Sequence, residues 1–109
     1  MANQGTDTPV LDLLTTMTEA SIETSGLDPQ TLMLVRFAAL VAVDAPPASY
    51  LLNMEAGSAV GLDAQSARDV LAAVAPIVGT ARTVAALGNI VRALGLAIDL
   101  VELAESEDA

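Results

Sequence analysis

Apolar residues recur every three or four positions along most of this chain, and the pattern divides it into helices. Val10, Leu13, Leu14 and Met17 form one stripe, with Asp12, Thr15 and Glu19 on other faces. That spacing predicts a first amphipathic helix. Thr8 is placed to cap it, Pro9 suits its first turn, and Ser25-Gly26 marks its end. Asp28-Pro29 repeats the same start for a second helix reaching about Val43, apolar nearly all round and so expected to be the most buried. Asp44-Ala45-Pro46-Pro47 stops it. A third helix follows from about Pro47 to Val60, closed by Gly61, and Asp63 with Ser66 three residues on reads as a capping start for a fourth.

The fourth helix carries Val70, Leu71, Val74 and Ile77, with Pro76 and Gly79 expected to break it. The last runs from about Ala81 to Ala104. Its Val84, Leu87, Val91, Leu94, Ile98 and Val101 keep a 3-4 spacing that suits antiparallel packing or a subunit interface. Gly88 and Gly95, seven apart, would admit a close backbone neighbour. The organisation expected is a disordered segment over 1–8, a single helical domain over 9–104, and an acidic, frayed tail over 105–109, where negative charge opposes the helix dipole.

Composition sharpens this into an all-α reading. Of 109 residues, 53% are apolar but only Phe37 and Tyr50 are aromatic, so the core is built from Ala, Val, Leu, Ile and four Met. Met1, Met17, Met33 and Met54 read as core filler, although Met33 and Met54 together around a cavity would suit an apolar ligand. A mean hydropathy of +0.57 is high for so small a domain, which points to a homo-oligomer that covers part of the apolar surface. The net charge of −10, with no lysine, opposes nucleic acid and anionic bilayers alike. The longest apolar run, Leu32 to Val43, is short of the roughly 20 residues that a membrane span needs. The first residues lack a basic and an apolar region, so no secretory signal is read and a cytoplasmic location is expected.

The chain has no cysteine and no histidine, which removes thiol redox chemistry, imidazole acid–base work and Cys/His metal sites. Its acids lack metal-loop spacing, so neither metal nor cofactor is expected. Arg36 stands out as a charge in an apolar helix; its partner is Glu55 on the next helix or a bound carboxylate. Ser49, Tyr50 and Asn53 share the first turns of the third helix, where they either meet a ligand or satisfy the polar end of a packed helix. Ser49 has no base to activate it. Arg82, near the start of the last helix, is an anion site or one half of a surface pair with an acid.

Three stretches, in order, cover about two-thirds of the chain: Leu27-Asp28-Pro29-Gln30-Thr31, then Glu55 to Asp63 leading into Ala67-Arg68-Asp69-Val70-Leu71, then Ala75-Pro76 through Gly79 and Arg82 to Leu87. Their order and spacing resemble the carboxymuconolactone decarboxylase family, which includes alkylhydroperoxidase D-like proteins. The resemblance implies an all-helical bundle of five to six helices assembled as a homotrimer or homohexamer. The peroxidase branch of that family carries C-x-x-C-x-x-x-H and an upstream glutamate. Here the cysteine positions fall at Pro46 and Ser49, the histidine at Asn53, and the glutamate at Met33 or Leu34. Without a thiolate, peroxidase chemistry is excluded.

The expectation is therefore a non-catalytic member of that fold: an oligomeric scaffold, or a binding module for a small apolar or anionic ligand or a partner protein. The alternative is a decarboxylase-type enzyme working with Arg36, Arg82 or Arg92 as carboxylate clamps and Glu55 as acid or base. An open, polar pocket around Arg36, Tyr50, Asn53 and Glu55 would favour ligand or enzyme; one filled by Leu, Met and Phe37 would favour the scaffold.

Overall fold

A computed structural model describes residues 7–108, and expectations for residues 1–6 and 109 fall outside the described residues. Five helices follow in order: α1 Pro9–Thr24, α2 Pro29–Ala42, α3 Pro47–Ala59, α4 Ala64–Val78 and α5 Thr80–Asp108. Among the described residues there is no strand. The fold is all-α, as the periodicity predicts.

Three of the five helices open on proline, where the missing N–H costs nothing. Asp28 caps α2, one carboxylate oxygen accepting from the Thr31 N–H at 2.9 Å and the other from its hydroxyl at 2.8 Å. Asp63 and Ser66 form the reciprocal capping box of α4. Thr8 departs from expectation. It occupies the cap position of α1 without bonding a backbone N–H, and its hydroxyl donates to the Asp12 carboxylate at 3.2 Å.

Pro76 does not break α4. It lies in the last turn, and the helix continues to Val78 before Gly79, at φ 91°, ends it. One lost N–H so near the terminus is tolerated, whereas the positive φ turns the chain out of the helix. Gly79 alone separates α4 from α5, and Thr83 returns both its N–H and its hydroxyl to the Gly79 carbonyl, at 3.1 and 2.8 Å. At its far end α5 continues to Asp108, four residues beyond the expected Ala104.

Helix α2 is central, packing on α3, α4 and α5 through Met33, Phe37 and Val41. Around it lie Tyr50, Leu71 and three alanines, Ala45, Ala86 and Ala93. Alanine at these contacts lets α5 approach α3 closely, which is how a core with two aromatic rings closes. Those rings, Phe37 and Tyr50, meet edge to face at 5.7 Å between centroids and 72° between planes.

Two parts of the chain stay out of this core. α1 has no buried residue, and its apolar stripe is open to solvent; Met17, expected as core filler, is 58% exposed. A helix can be amphipathic in sequence and still find nothing to pack against when its neighbours have already closed on one another. The α5 seam is also open: Val84, Leu87, Val91, Leu94, Ile98 and Val101 are all exposed. The radius of gyration is 15.8 Å, against about 13 Å for a compact domain of this length.

Candidate functional site

Between α2, α3, α4 and α5 lies a half-open apolar groove of about 640 Å³. Its walls include Leu34 and Phe37 of α2, Met54 of α3, Leu71 of α4, and Leu87 and Leu94 of α5. Local geometry holds it open. The Gln30 side chain donates to the Val60 carbonyl at 2.9 Å, tying the start of α2 to the end of α3. Leu62 then folds back, its N–H bonding the Gly57 carbonyl at 2.9 Å, and packs on the buried face of Gly57. Gly61, at φ 92°, makes this turn possible.

Of the six residues singled out from the sequence, Asn53 alone lies on the groove wall, where it is half-buried. Arg36 is not paired with Glu55. Its guanidinium donates to the Ser21 hydroxyl at 2.9 Å, and Glu55 stands exposed on α3. The pairing expected from sequence assumed that α3 is the only neighbour of that side of α2; α1 reaches it instead. Among the described residues Arg82 takes a main-chain partner rather than an acid. It donates to the Ala42 carbonyl at 2.9 Å, supplying a cation to the C-terminal end of α2. Ser49 is half-buried, its N–H bonded to the Pro46 carbonyl at 3.1 Å in the first turn of α3.

Tyr50 is fully buried behind Phe37, and its hydroxyl has no hydrogen-bond partner. Burial pushes its phenol above the ordinary value of 10.0, and the Asp44 carboxylate adds to that shift. Met54 borders the groove but Met33 does not, so the pair does not surround one cavity.

Two residues of α5 hold the helices in place: Asn89, which the sequence did not single out, and Arg92, named above as a carboxylate clamp of the enzyme alternative. Asn89 of α5 donates its amide to the Ala45 carbonyl at 3.2 Å, and Arg92 donates to the Asn89 side-chain oxygen at 3.1 Å. The only signal in the chain is an amide interrupting an apolar helix.

The groove offers little for bond-making. At its rim Asp63 and Ser66 are engaged in the α4 cap, and hydrogen bonds from Ser66 hold the Asp63 carboxyl below its ordinary value of 3.8. Arg68 donates to the Gln65 side chain at 2.7 Å. Among the described residues no cluster of acids is arranged to hold a metal ion. An apolar concavity with a thin polar rim binds apolar surface.

Arg82, Asn89, Arg92 and Asp99 interrupt α5, so it holds no single uninterrupted apolar run. By length and composition its Thr80–Ser106 stretch is long and apolar enough to cross a membrane, with a mean hydropathy of 1.8 over its most apolar window, of which 11% is buried. Its first half nevertheless packs in the core through Ala86 and Ala93. No family model, characterised relative or solved structure matches the chain, so the likeness to carboxymuconolactone decarboxylases rests on the three sequence stretches alone.

Proposed function

We propose that this protein is a non-catalytic helical assembly module: a carboxymuconolactone decarboxylase-like scaffold that associates with copies of itself through apolar helix faces. One observation carries the reading. The chain leaves two regular apolar stripes in solvent, one on α1 and one on α5, and the α5 stripe borders a groove that is itself apolar. Large contiguous apolar surfaces of this kind mark association sites.

The dispersal of the polar candidates supports the same reading against the enzyme. Arg36 and Arg82 each serve a neighbouring helix, Glu55 faces solvent, and Tyr50 is sealed in the core. A decarboxylase needs acid, base and carboxylate clamp within reach of one substrate. A second reading, an apolar small molecule in the groove, is favoured by the groove volume of about 640 Å³, which falls within the usual ligand range.

Native mass spectrometry of the full chain tests the proposal. An oligomer at a whole multiple of the bare chain mass is expected. A monomer at all accessible concentrations overturns it, and an oligomer carrying a stoichiometric small-molecule adduct moves the groove to the second reading.

A further inference from the structure

We infer that α1 of one copy lies along the α5 seam of a second copy, its apolar stripe closing the groove there. The inference rests on the assembly reading and specifies its interface.

The area requires a large cover. A compact monomer of 11.1 kDa exposes about 5,700 Å², whereas this chain exposes 7478 Å². The difference, about 1,800 Å² per chain, is of the size each partner buries in an obligate interface. On α1 and the outer half of α5 the large apolar side chains are exposed.

The two surfaces match in length and pattern. The 16 residues of α1 span about 24 Å, and the seam from Leu87 to Val101 spans about 21 Å, at 1.5 Å per residue. Val10, Leu13, Leu14 and Met17 make a ridge of the same 3-4 spacing as Leu87, Val91, Leu94 and Ile98. Beside that seam, Gly95 has open space where a side chain would stand, so a helix backbone can come close.

The chain's own α1 is held away from its own groove. Ser21 of α1 is bound to Arg36, and Leu34, part of the groove wall, is two residues from Arg36 and about 200° around α2. While that contact stands, no residue of α1 lines the groove. The cover therefore comes from another copy.

Charge favours an antiparallel arrangement on α5. It sets the positive end of the α1 dipole beside Glu102 and Glu105, which border the outer seam, and turns Glu19 and Glu23 toward the groove, whose lining includes Arg68.

The absence of native cysteine makes the test clean. Leu14→Cys and Ile98→Cys are both exposed substitutions in the free chain, so neither disturbs the fold. The two variants are co-expressed with different tags and mildly oxidised. The expected result is a disulfide joining Leu14→Cys of one chain to Ile98→Cys of the other as the main crosslinked species. Leu14→Asp should weaken assembly at least tenfold while leaving the helical spectrum of the monomer intact. Homodimers crosslinked only through Ile98→Cys would overturn the inference in favour of α5 packing on α5, with the assembly reading intact. A crosslink that forms only inside a doubly substituted chain would overturn it in favour of self-closure. Uncrosslinked monomers in solution that associate only with lipid vesicles would overturn both.

Discussion

Asn89 reaches across from the middle of α5 to the main-chain carbonyl of Ala45, 44 residues earlier and just past the end of α2. This one amide joins the longest helix to the turn between α2 and α3, and Arg92 holds it in place from the next turn of α5. Asn89→Leu fills a similar volume but leaves the Ala45 carbonyl without its partner, a loss of about 1–3 kcal/mol. Urea denaturation followed by circular dichroism reads it directly; an unchanged midpoint would mean that solvent replaces the bond.

Tyr50 gives the opposite prediction. Its hydroxyl is buried and unpartnered, so Tyr50→Phe removes a polar group already stripped of water and keeps the edge-to-face contact with Phe37. Stability should hold or rise by about 1 kcal/mol, whereas Tyr50→Ala, which also leaves a cavity, should cost about 3–5 kcal/mol. A Tyr50→Phe variant that unfolds more easily than the parent would show that the hydroxyl has a partner in solution.

The same residue sets an alkaline limit. The folded phenol is raised above 10.0 by burial first and by Asp44 second, so folding favours the protonated form. That contribution is complete below pH 10 and is lost as pH rises through the raised folded value. Asp44→Asn removes the charge next to the phenol. Ultraviolet titration of the chain's single tyrosine should then show its ionisation moving down toward 10.0, though burial keeps it above. Asp44 also stands at the C-terminal end of α2 at φ 56°, where asparagine is tolerated better and the dipole no longer meets an anion.

The caps act at the other end of the pH scale. Asp28 and Asp63 both sit below 3.8 because backbone and hydroxyl donors hold their carboxylates. Their contribution is present above that value and is lost as pH falls through the lowered folded values. Asp63→Ala should remove its share and flatten the acid transition, while Asp63→Ser keeps a capping oxygen and loses only the pH dependence. Thermal melts from pH 5 downward separate the two.

Assembly itself should respond to salt. Each copy carries a net charge of −10, so chains repel at long range, while the surfaces proposed to join them are apolar. Raising the salt concentration from about 0.01 M to 0.15 M shortens the screening length roughly fourfold and should strengthen association. Sedimentation velocity across that range checks the sign. Association that weakens with salt would mean that ion pairs dominate the interface.

Most of the fold is legible in the sequence because its helix ends are written in local chemistry. Asp28-Pro29, Pro47, the Asp63–Ser66 pair, Gly61 and Gly79 act within a turn of where they stand, and each lies close to a helix end. Pro76 misleads because its effect depends on how many turns follow it. The candidate site is far less legible. Arg36 is visibly out of place in its helix, but its partner depends on how α1 leaves the domain, and no spacing within the chain records that angle. Asn89 and Arg82 likewise give their donors to main-chain carbonyls at or just past the end of α2, and main-chain acceptors leave no residue type to recognise.

A helix that keeps its apolar face outside its own core also changes what a stability measurement means. On the proposed assembly, in which another copy covers α1 and the outer half of α5, folding and association draw on the same free energy, and each tenfold dilution weakens the assembled state by about 1.4 kcal/mol for every subunit released. Dilution then acts on this chain as a denaturant does on others. Its melting temperature becomes a function of how much of it is present, and a cell could set the protein's lifetime through its abundance alone.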